Sequence, residues 1–289
     1  MESAALYCPA KVNLYLEVHS RRPDGYHDLG SLFQTLALGD TLSAEPAEAF
    51  SMTGAEEVTP DAETNLVLRA ARLLLAEAAK DPALPPPKFP ALRFHLDKKL
   101  PAGAGLGGGS SNAAAAFLLA NRILGMDMPL KRLSDLAARL GSDIPFFLHG
   151  GTAFVQGKGE VVASAPAPYP FKVVIATPKV SVATAWAYQN LESQRKRQWD
   201  KFKALYHIHC EDPGFFRVLH NDFEAPMIRH FPEIAEVYTL LARENPVKVL
   251  LSGSGASLFA LFTDLPAAQS AQNAVASKTR FQALTEFLD

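Results

Sequence analysis

The chain has 289 residues, of which 48% are hydrophobic and 20% charged, enough for the core of one large domain or two smaller lobes. Its 28 basic and 30 acidic residues give a formal charge of −2, which argues against a dedicated nucleic-acid-binding protein. Two cysteines exclude a disulfide framework, and no uncharged apolar run reaches the roughly 20 residues needed to span a bilayer. We therefore expect a soluble, cytoplasmic protein, a monomer or weak homodimer, without nucleic acid or membrane as partner.

Strand and helix patterns are mixed along the chain, which predicts an α+β fold. In chain order we expect strands over 7–19, 31–44 and 92–96, and helices over 65–79, 111–124 and 130–140. Further on we expect strands over 171–177, 247–251 and 257–262, a charged helical region over 183–209, and helices over 233–244 and 267–276. The alanine- and proline-rich stretch 164–170 predicts a junction between two lobes, residues 1–160 and 161–289.

The segment from Pro101 to Asn112 is the most informative in the chain. It contains five glycines within seven residues: Gly103, Gly105, Gly107, Gly108 and Gly109. Glycine permits positive φ and close approach to the backbone, and the helix that follows offers unpaired N–H groups to a phosphate. We therefore predict phosphate binding here; the alternative is a flexible turn with a serine N-cap.

This segment fits none of three established phosphate-binding or nucleophile motifs. A dinucleotide-binding fingerprint requires a parallel strand after the helix, but a second helix is predicted there. A Walker A loop requires a lysine near its end, and none occurs between Lys99 and Lys131. A nucleophile elbow requires glycine two residues either side of serine, which neither Ser110 nor Ser254 has.

Three segments together resemble the motifs of the GHMP kinase superfamily, in the order that the superfamily has them. The matching residues are Pro9-Ala10-Lys11-Val12-Asn13-Leu14, then Pro101, Gly105, Leu106, Gly107, Ser110 and Ser111, and finally Leu251-Ser252-Gly253-Ser254-Gly255-Ala256-Ser257. The resemblance implies a two-lobed fold, with an N-terminal lobe like ribosomal protein S5 domain 2 and a ferredoxin-like C-terminal lobe. It also implies ATP as phosphoryl donor and a small-molecule acceptor.

Further blocks resemble one branch of that superfamily, which phosphorylates the 2-hydroxyl of 4-diphosphocytidyl-2-C-methyl-D-erythritol in the non-mevalonate isoprenoid pathway. The most specific block is Asp24-Gly25-Tyr26-His27, and others are Asn65-Leu66, Gly141 to Phe147 and Gly157 to Glu160. Two alternatives remain open: a related kinase with a small polyol or amino-alcohol acceptor, and a sensor that binds nucleotide or sugar without turnover. The Asp-Gly-Tyr-His block argues against the first, and the presence of both Lys11 and Asp143 argues against the second.

The resemblance implies that Asp143 is the general base and that Lys11 lies near it, where its charge favours an ionised carboxylate. From the residues alone, Asp143 could equally be a carboxylate at a helix end, and Lys11 could point to solvent. Alternation along the strand places Lys11 and Asn13 on one face.

The remaining site residues also follow from the resemblance. The expected ATP-binding residues are Asn65, Leu66, Lys98, Pro101, Gly103, Gly105, Leu106, Gly107, Gly108, Gly109, Ser110, Ser111 and Asn112. The expected substrate-binding residues are Asn13, Tyr26, His27, Phe33 and Tyr188, with the cytosine between Tyr26 and Tyr188. Asn65 could also cap its helix, and Phe33 and Tyr188 could be core residues. Mg²⁺ is expected on the ATP phosphates, and no protein metal ligand is assigned.

Overall fold

A computed structural model describes residues 3–56, 59, 61–191 and 198–288. Within them the strands are β1 (Ala4–Arg21), β2 (His27–Ala47), β3 (Ser51–Thr53), β4 (Ala91–Asp97), β5 (Thr152–Gly157), β6 (Val161–Ser164), β7 (Lys172–Pro178), β8 (Lys248–Leu251), β9 (Leu258–Phe262) and β10 (Thr279–Glu286). The α-helices are α1 (Leu66–Ala78), α2 (Gly108–Ile123), α3 (Leu130–Leu140), α4 (Ile144–His149), α5 (Thr184–Gln189), α6 (Trp199–His209), α7 (Glu224–His230), α8 (Pro232–Arg243) and α9 (Leu265–Val275). Short 3₁₀ helices cover Ala62–Thr64, Pro213–Val218 and Ala276–Lys278. The predicted α+β class is confirmed.

Spatial proximity divides the chain into two compact units. The first contains the described residues of 1–10, 39–102 and 107–149, and the second those of 11–38, 103–106 and 150–289. The chain therefore passes from the second unit to the first within the glycine segment, between Leu106 and Gly107. The predicted lobes, residues 1–160 and 161–289, stay a prediction.

In the first unit, α1, α2, α3 and α4 pack on one another. The C-terminal half of β2 pairs antiparallel with β4, and β3 pairs parallel with β4. The alanine run from Ala113 to Ala116 in α2 is buried, as are Ala120 and Phe117. Because these side chains are small, the backbones of α1 and α4 can come close to that of α2 and gain van der Waals contact with it. This packing fixes the helix that begins at the glycine segment.

In the second unit, the N-terminal half of β2 pairs antiparallel with β5, and β5 pairs with β6. A separate four-stranded sheet has the order β10-β7-β9-β8, with all neighbours antiparallel. Helices α8 and α9 pack on its strands. Every residue of β9 is buried, which agrees with its uninterrupted apolar sequence.

Most predicted elements are confirmed within a few residues, and the differences have physical causes. The segment 31–44 belongs to one long strand, β2. Polar residues within it, such as Asp40, form hydrogen bonds with neighbouring chain segments and do not interrupt the strand with a turn. The helical region predicted over 183–209 is two helices, α5 and α6. The basic residues Arg195, Lys196 and Arg197 of that predicted region lie outside the described residues.

The carboxylate of Glu224 provides a test of this fold. Glu224 begins α7 and accepts a hydrogen bond from the Leu251 N–H at 2.9 Å, which joins α7 to β8. Burial raises the pKa of this carboxyl, although the hydrogen bond and the charges of Lys248 and His220 oppose the increase. Because the pKa is higher folded than unfolded, ionisation of Glu224 costs stability, and that cost sets in as pH rises above the unfolded value of 4.5.

We expect the melting temperature of Glu224→Gln, relative to the natural protein, to increase as pH rises from about 4 to about 8. The glutamine oxygen can still accept from the Leu251 N–H, so this hydrogen bond is kept. Any other effect of the substitution shifts the melting temperature by the same amount at every pH and leaves the trend visible. Thermal unfolding at several pH values measures it. Glu233→Gln, at an exposed position in α8, is the control and should show no such trend. If the difference in melting temperature between Glu224→Gln and the natural protein does not change with pH, the raised pKa of Glu224 is contradicted.

Candidate active site

The side chains of Lys11, Asn13 and Phe33 meet inside the second unit. Lys11 is 3% exposed, and its ammonium donates to Asn13 Oδ1 at 2.6 Å and lies 4.4 Å from the centroid of the Phe33 ring. Asn13 in turn donates to Ser31 Oγ at 3.1 Å. A cation is attracted to an aromatic face, and a buried charge requires such partners. The alternative in which Lys11 points to solvent is therefore wrong.

The first half of the glycine segment is bound to two other parts of the second unit. The Lys11 N–H donates to the Leu106 carbonyl at 2.9 Å, and Ser252 Oγ donates to the Gly105 carbonyl at 2.9 Å. A Cβ on Gly105 would lie 2.2 Å from the Ser252 carbonyl oxygen, and the residue has φ of +79°. Only glycine fits there. The three motifs of the sequence therefore converge at residues 103–106.

Gly253 brings the C-terminal motif to the Lys11 cluster. A Cβ built on this residue would lie 3.6 Å from Lys11 Nζ and 3.5 Å from Asn13 Oδ1. The backbone of Gly253 therefore lies directly beside these two side chains. Its φ of +58° is in the left-handed region, where glycine carries no steric penalty.

The second half of the glycine segment is the start of α2, in the first unit. Gly107 is the N-cap with φ of +72°, and no side chain caps the helix. The helix begins at Gly108, three residues before the predicted start, because packing of α2 outweighs the low helix propensity of glycine. The N–H groups of the first turn are the donors that phosphate-binding helices present.

Two buried polar atoms follow this helix start. Ser111 is 2% exposed and Asn112 is 4% exposed. Ser111 Oγ and Asn112 Oδ1 are inaccessible to solvent and have no hydrogen-bond partner among the described residues. Buried polar atoms without partners are rare in native proteins and require an explanation. Ser111 Oγ can donate a hydrogen bond, to a phosphate oxygen for example, whereas Asn112 Oδ1 can only accept and needs a donor or a cation.

Lys98 lies beside the same helix start. Its ammonium donates to Asp40 Oδ2 and to the Leu100 carbonyl, both at 2.7 Å. A Cβ built on Gly108 would lie 3.4 Å from Lys98 Nζ. Lys99 is exposed and pairs with Asp97 at 3.3 Å. Of these two adjacent lysines, Lys98 is therefore the one beside the helix start.

Asn65 and Leu66 begin α1. Asn65 Oδ1 accepts from the Val67 N–H at 2.9 Å, so its role as N-cap is confirmed. Leu66 lies over the start of α2, since its Cδ1 would be 3.8 Å from a Cβ on Gly109. At the other end of the glycine segment, Gly103 has φ of +61° and open space around it.

Asp143 lies in the connection between α3 and α4. It is half-buried, and the five residues that follow it, 144–148, are buried. Its role as general base stays a prediction.

The aromatic residues of the predicted acceptor site lie in the second unit. His27 stacks on Tyr188 with 5.1 Å between ring centroids and 18° between planes, and Phe223 meets Tyr188 edge-on at 4.9 Å. Tyr26 is 57% exposed, with Lys158 Nζ 4.9 Å from its ring centroid. His27 thus occupies ring surface on Tyr188 that was predicted for a base. A base that stacks on Tyr188 must use the surface that His27 leaves, or displace His27.

Sequence reasoning missed Asp40, Asn221 and Phe223. Asp40 is fully buried and accepts from Lys98 Nζ and from the Lys99 and Leu100 N–H groups. A lone acid within the apolar run of β2 was the available signal, because buried carboxylates require partners.

The described residues contain neither a metal-ligand cluster nor a membrane-spanning helix. No three or more His, Cys, Asp or Glu side chains are grouped as metal ligands. No helix there has the length and apolar character that crossing a membrane requires.

Comparison with known proteins gives the family. The model of the GHMP kinases N terminal domain matches residues 65–151, and that of the GHMP kinases C terminal domain matches residues 190–280. A Geobacter sulfurreducens protein named 4-diphosphocytidyl-2-C-methyl-D-erythritol kinase is 36% identical over 285 residues, 98% of each chain. The chain belongs to the 4-diphosphocytidyl-2-C-methyl-D-erythritol kinase family of GHMP kinases.

Solved structures agree with this assignment. A crystal structure of 4-(cytidine 5'-diphospho)-2C-methyl-D-erythritol kinase matches with a TM-score of 0.81 and 33% identity, over 99% of this chain and 100% of that one. Homoserine kinase from Cytophaga hutchinsonii matches with a TM-score of 0.75 at 21% identity, over 100% and 95%, which shows the fold alone. The predicted two-lobed GHMP kinase fold and the small-molecule kinase class are confirmed. GHMP kinases use ATP as phosphoryl donor.

Ser111→Ala tests whether the unpartnered hydroxyl is kept for nucleotide. Without ligand, we expect the melting temperature to stay or rise, because the change removes a buried unpaired group and raises helix propensity. Affinity for ATP with Mg²⁺ should fall by about 10- to 100-fold, the scale of a hydrogen bond to a charged group. Isothermal titration and thermal unfolding measure the two effects.

Ser134→Ala, in α3, makes the same change on a half-buried helical serine and should leave ATP affinity unchanged. If Ser111→Ala loses stability and keeps its ATP affinity, the hydroxyl belongs to the fold and not to the nucleotide site.

Proposed function

We propose that this chain transfers the γ-phosphoryl group of ATP to the 2-hydroxyl of 4-diphosphocytidyl-2-C-methyl-D-erythritol, in the non-mevalonate isoprenoid pathway. The observation that carries the proposal is the buried Lys11 cluster, held at the convergence of three kinase motifs. Relatives with that activity in their names, similar over nearly the whole chain, support the acceptor.

The first unit supplies most of the proposed donor site. The N–H groups at the start of α2 would bind phosphate oxygens, and Lys98 lies beside them. Ser111 Oγ would donate to a phosphate oxygen of the bound nucleotide, and Asn112 Oδ1, which only accepts, would need a donor group. Mg²⁺, held mainly by ATP phosphates, would neutralise charge that develops during transfer. Leu66, which lies over this helix start, would contact adenine together with Asn65.

Asp143 and Lys11 would perform the chemistry. Asp143 would accept the proton of the acceptor hydroxyl as general base. Lys11 would stabilise the negative charge on the acceptor oxygen, and Asn13 and Phe33 fix the direction of its ammonium. Phosphoryl transfer offers little covalent work to a protein, so positioning and electrostatics would supply most of the rate enhancement.

The second unit supplies the proposed acceptor site. Asn13, Tyr26, His27, Phe33 and Tyr188 all belong to it. Aromatic rings bind bases by stacking, which contributes about 1–3 kcal/mol per base. A coupled assay of ADP release tests the function directly: we expect turnover with the diphosphocytidyl acceptor and none with homoserine or mevalonate. Turnover with either of those two alone contradicts the proposed substrate.

Asp143→Asn tests the general base. We expect kcat to fall by at least about 10²-fold, while the affinities for ATP and acceptor stay within about tenfold, because the amide keeps the shape but cannot accept the proton. Single-turnover kinetics and equilibrium titration separate the two effects. Asp135→Asn, at an exposed position in α3, is the matched control and should keep full activity. Near-normal turnover in Asp143→Asn removes this residue from the mechanism.

Tyr188→Ala tests acceptor recognition. We expect acceptor affinity to fall by about 5- to 150-fold, from loss of about 1–3 kcal/mol of stacking, with little change in ATP affinity. Tyr188→Phe keeps the ring and should be mild. The competing interpretation is core packing, since Tyr188 contacts His27 and Phe223. It predicts a lower melting temperature and equal losses for both ligands, so measuring all three quantities on one preparation decides.

A further inference from the structure

Asn221 is a buried amide in a segment to which the proposed function gives no role. It is 2% exposed. Its Nδ2 donates to the Leu251 carbonyl and to the Gly253 carbonyl, both at 2.8 Å, and its Oδ1 accepts from the Phe223 N–H at 2.9 Å. Both N–H bonds and the oxygen of the amide are therefore used, which only asparagine can do at this distance from the backbone.

The two carbonyls that Asn221 holds flank Ser252, at the turn that leads from β8 into the C-terminal motif. One amide bound to both carbonyls fixes the path of this turn. Ser252 Oγ then reaches the Gly105 carbonyl at 2.9 Å. The backbone of Gly253 lies beside Lys11, with 3.6 Å between Lys11 Nζ and a Cβ built on that glycine.

The same segment is also bound to β1, the strand that carries Lys11. The Leu16 N–H donates to the His220 carbonyl at 2.8 Å, and the Asp222 N–H donates to the Leu16 carbonyl at 3.0 Å. The Val18 N–H donates to Asp222 Oδ2 at 2.6 Å. Asn221 therefore lies between two residues that are hydrogen-bonded to β1, and its own side chain binds the carbonyls on either side of Ser252.

We propose that Asn221 is a positioning residue for phosphoryl transfer, which holds the 251–253 turn against the ammonium of Lys11. It would act through Lys11 and Gly253 and would touch neither ATP nor acceptor. The inference rests on the proposed function, in which Lys11 stabilises the acceptor oxygen. A displacement of about 1 Å at a reacting site can cost about 10²-fold in rate, so a residue outside the site can control kcat.

Asn221→Asp is the sharpest test, because it keeps the size of the side chain and removes both donors. A carboxylate would face two carbonyl oxygens and repel them. We expect kcat to fall by about 10- to 100-fold, while KM for the acceptor and the Kd of ATP stay within about threefold. Hydrogen exchange of the backbone over residues 251–257 should become faster at the same time.

Asn121→Asp is the matched control. The Asn121 amide donates to the Met128 carbonyl at 3.0 Å and accepts from the Met128 N–H at 2.9 Å, so it holds the connection between α2 and α3 in the first unit. The same chemical change there should lower the melting temperature without changing kcat per folded molecule. A merely structural role of Asn221 predicts that the two variants behave alike, and that result overturns the proposal.

Other results of these experiments also test the proposed role of Asn221. A kcat within twofold of the natural protein in folded Asn221→Asp rejects the proposal, and so does unchanged exchange over 251–257. If Asn221→Asp does not fold, Asn221→Ser, which keeps one donor, should show a smaller loss of kcat. If neither folds, the residue is structural and the proposal is rejected. Absence of turnover by the natural protein with the diphosphocytidyl acceptor defeats the proposed function instead, whereas the exchange measurement still tests the hold of Asn221 on the turn.

Discussion

The site depends on one physical constraint, the burial of the Lys11 ammonium. A charged group that leaves water loses its hydration, and the protein must replace it with fixed partners. Asn13 Oδ1 and the face of Phe33 supply such partners at 2.6 and 4.4 Å. Because each partner sits on a strand, β1 or β2, the direction of the ammonium is set by the sheet rather than by a loop. A rigid charge of this kind is what electrostatic stabilisation of a reacting oxygen requires.

The glycine segment serves the two units differently. Residues 103–106 are fixed by backbone contacts so close that Gly105 has no room for a side chain. From Gly107 onward the same segment is the start of a helix. The Ser111 hydroxyl in this helix is buried and has no hydrogen-bond partner among the described residues. Close approach of protein backbone requires glycine at position 105, and left-handed φ values favour glycine at positions 103 and 107. These constraints account for three of the five glycines despite their entropic cost.

Periodicity and motifs predicted much of this structure, and tertiary packing decided the rest. The bounds of α3 and the N-cap role of Asn65 followed from local rules. The start of α2 was placed late because glycine disfavours helix in isolation, whereas contacts of α2 with α1 and α4 extend it. The stack of His27 on Tyr188 joins residues 161 positions apart, and nothing local indicates such a contact. Asp40 and Asn221 were missed for the same reason, since their partners are distant in sequence.

Buried polar side chains of the described residues differ in whether the protein itself supplies their hydrogen-bond partners. The amide of Asn221 and the carboxylate of Asp40 are buried, and each is bonded to backbone groups or to Lys98 within its own unit. Asn112 is as deeply buried, yet its Oδ1 has no partner among the described residues, and neither has Ser111 Oγ. Asn112 and Asn221 share an amide side chain and deep burial, so neither property alone distinguishes a bonded residue from an unbonded one. An unbonded buried polar atom costs free energy until something binds it, and two such atoms belong to consecutive residues in the first two turns of α2. That cost is consistent with a site whose hydrogen bonds are completed by nucleotide rather than by the protein.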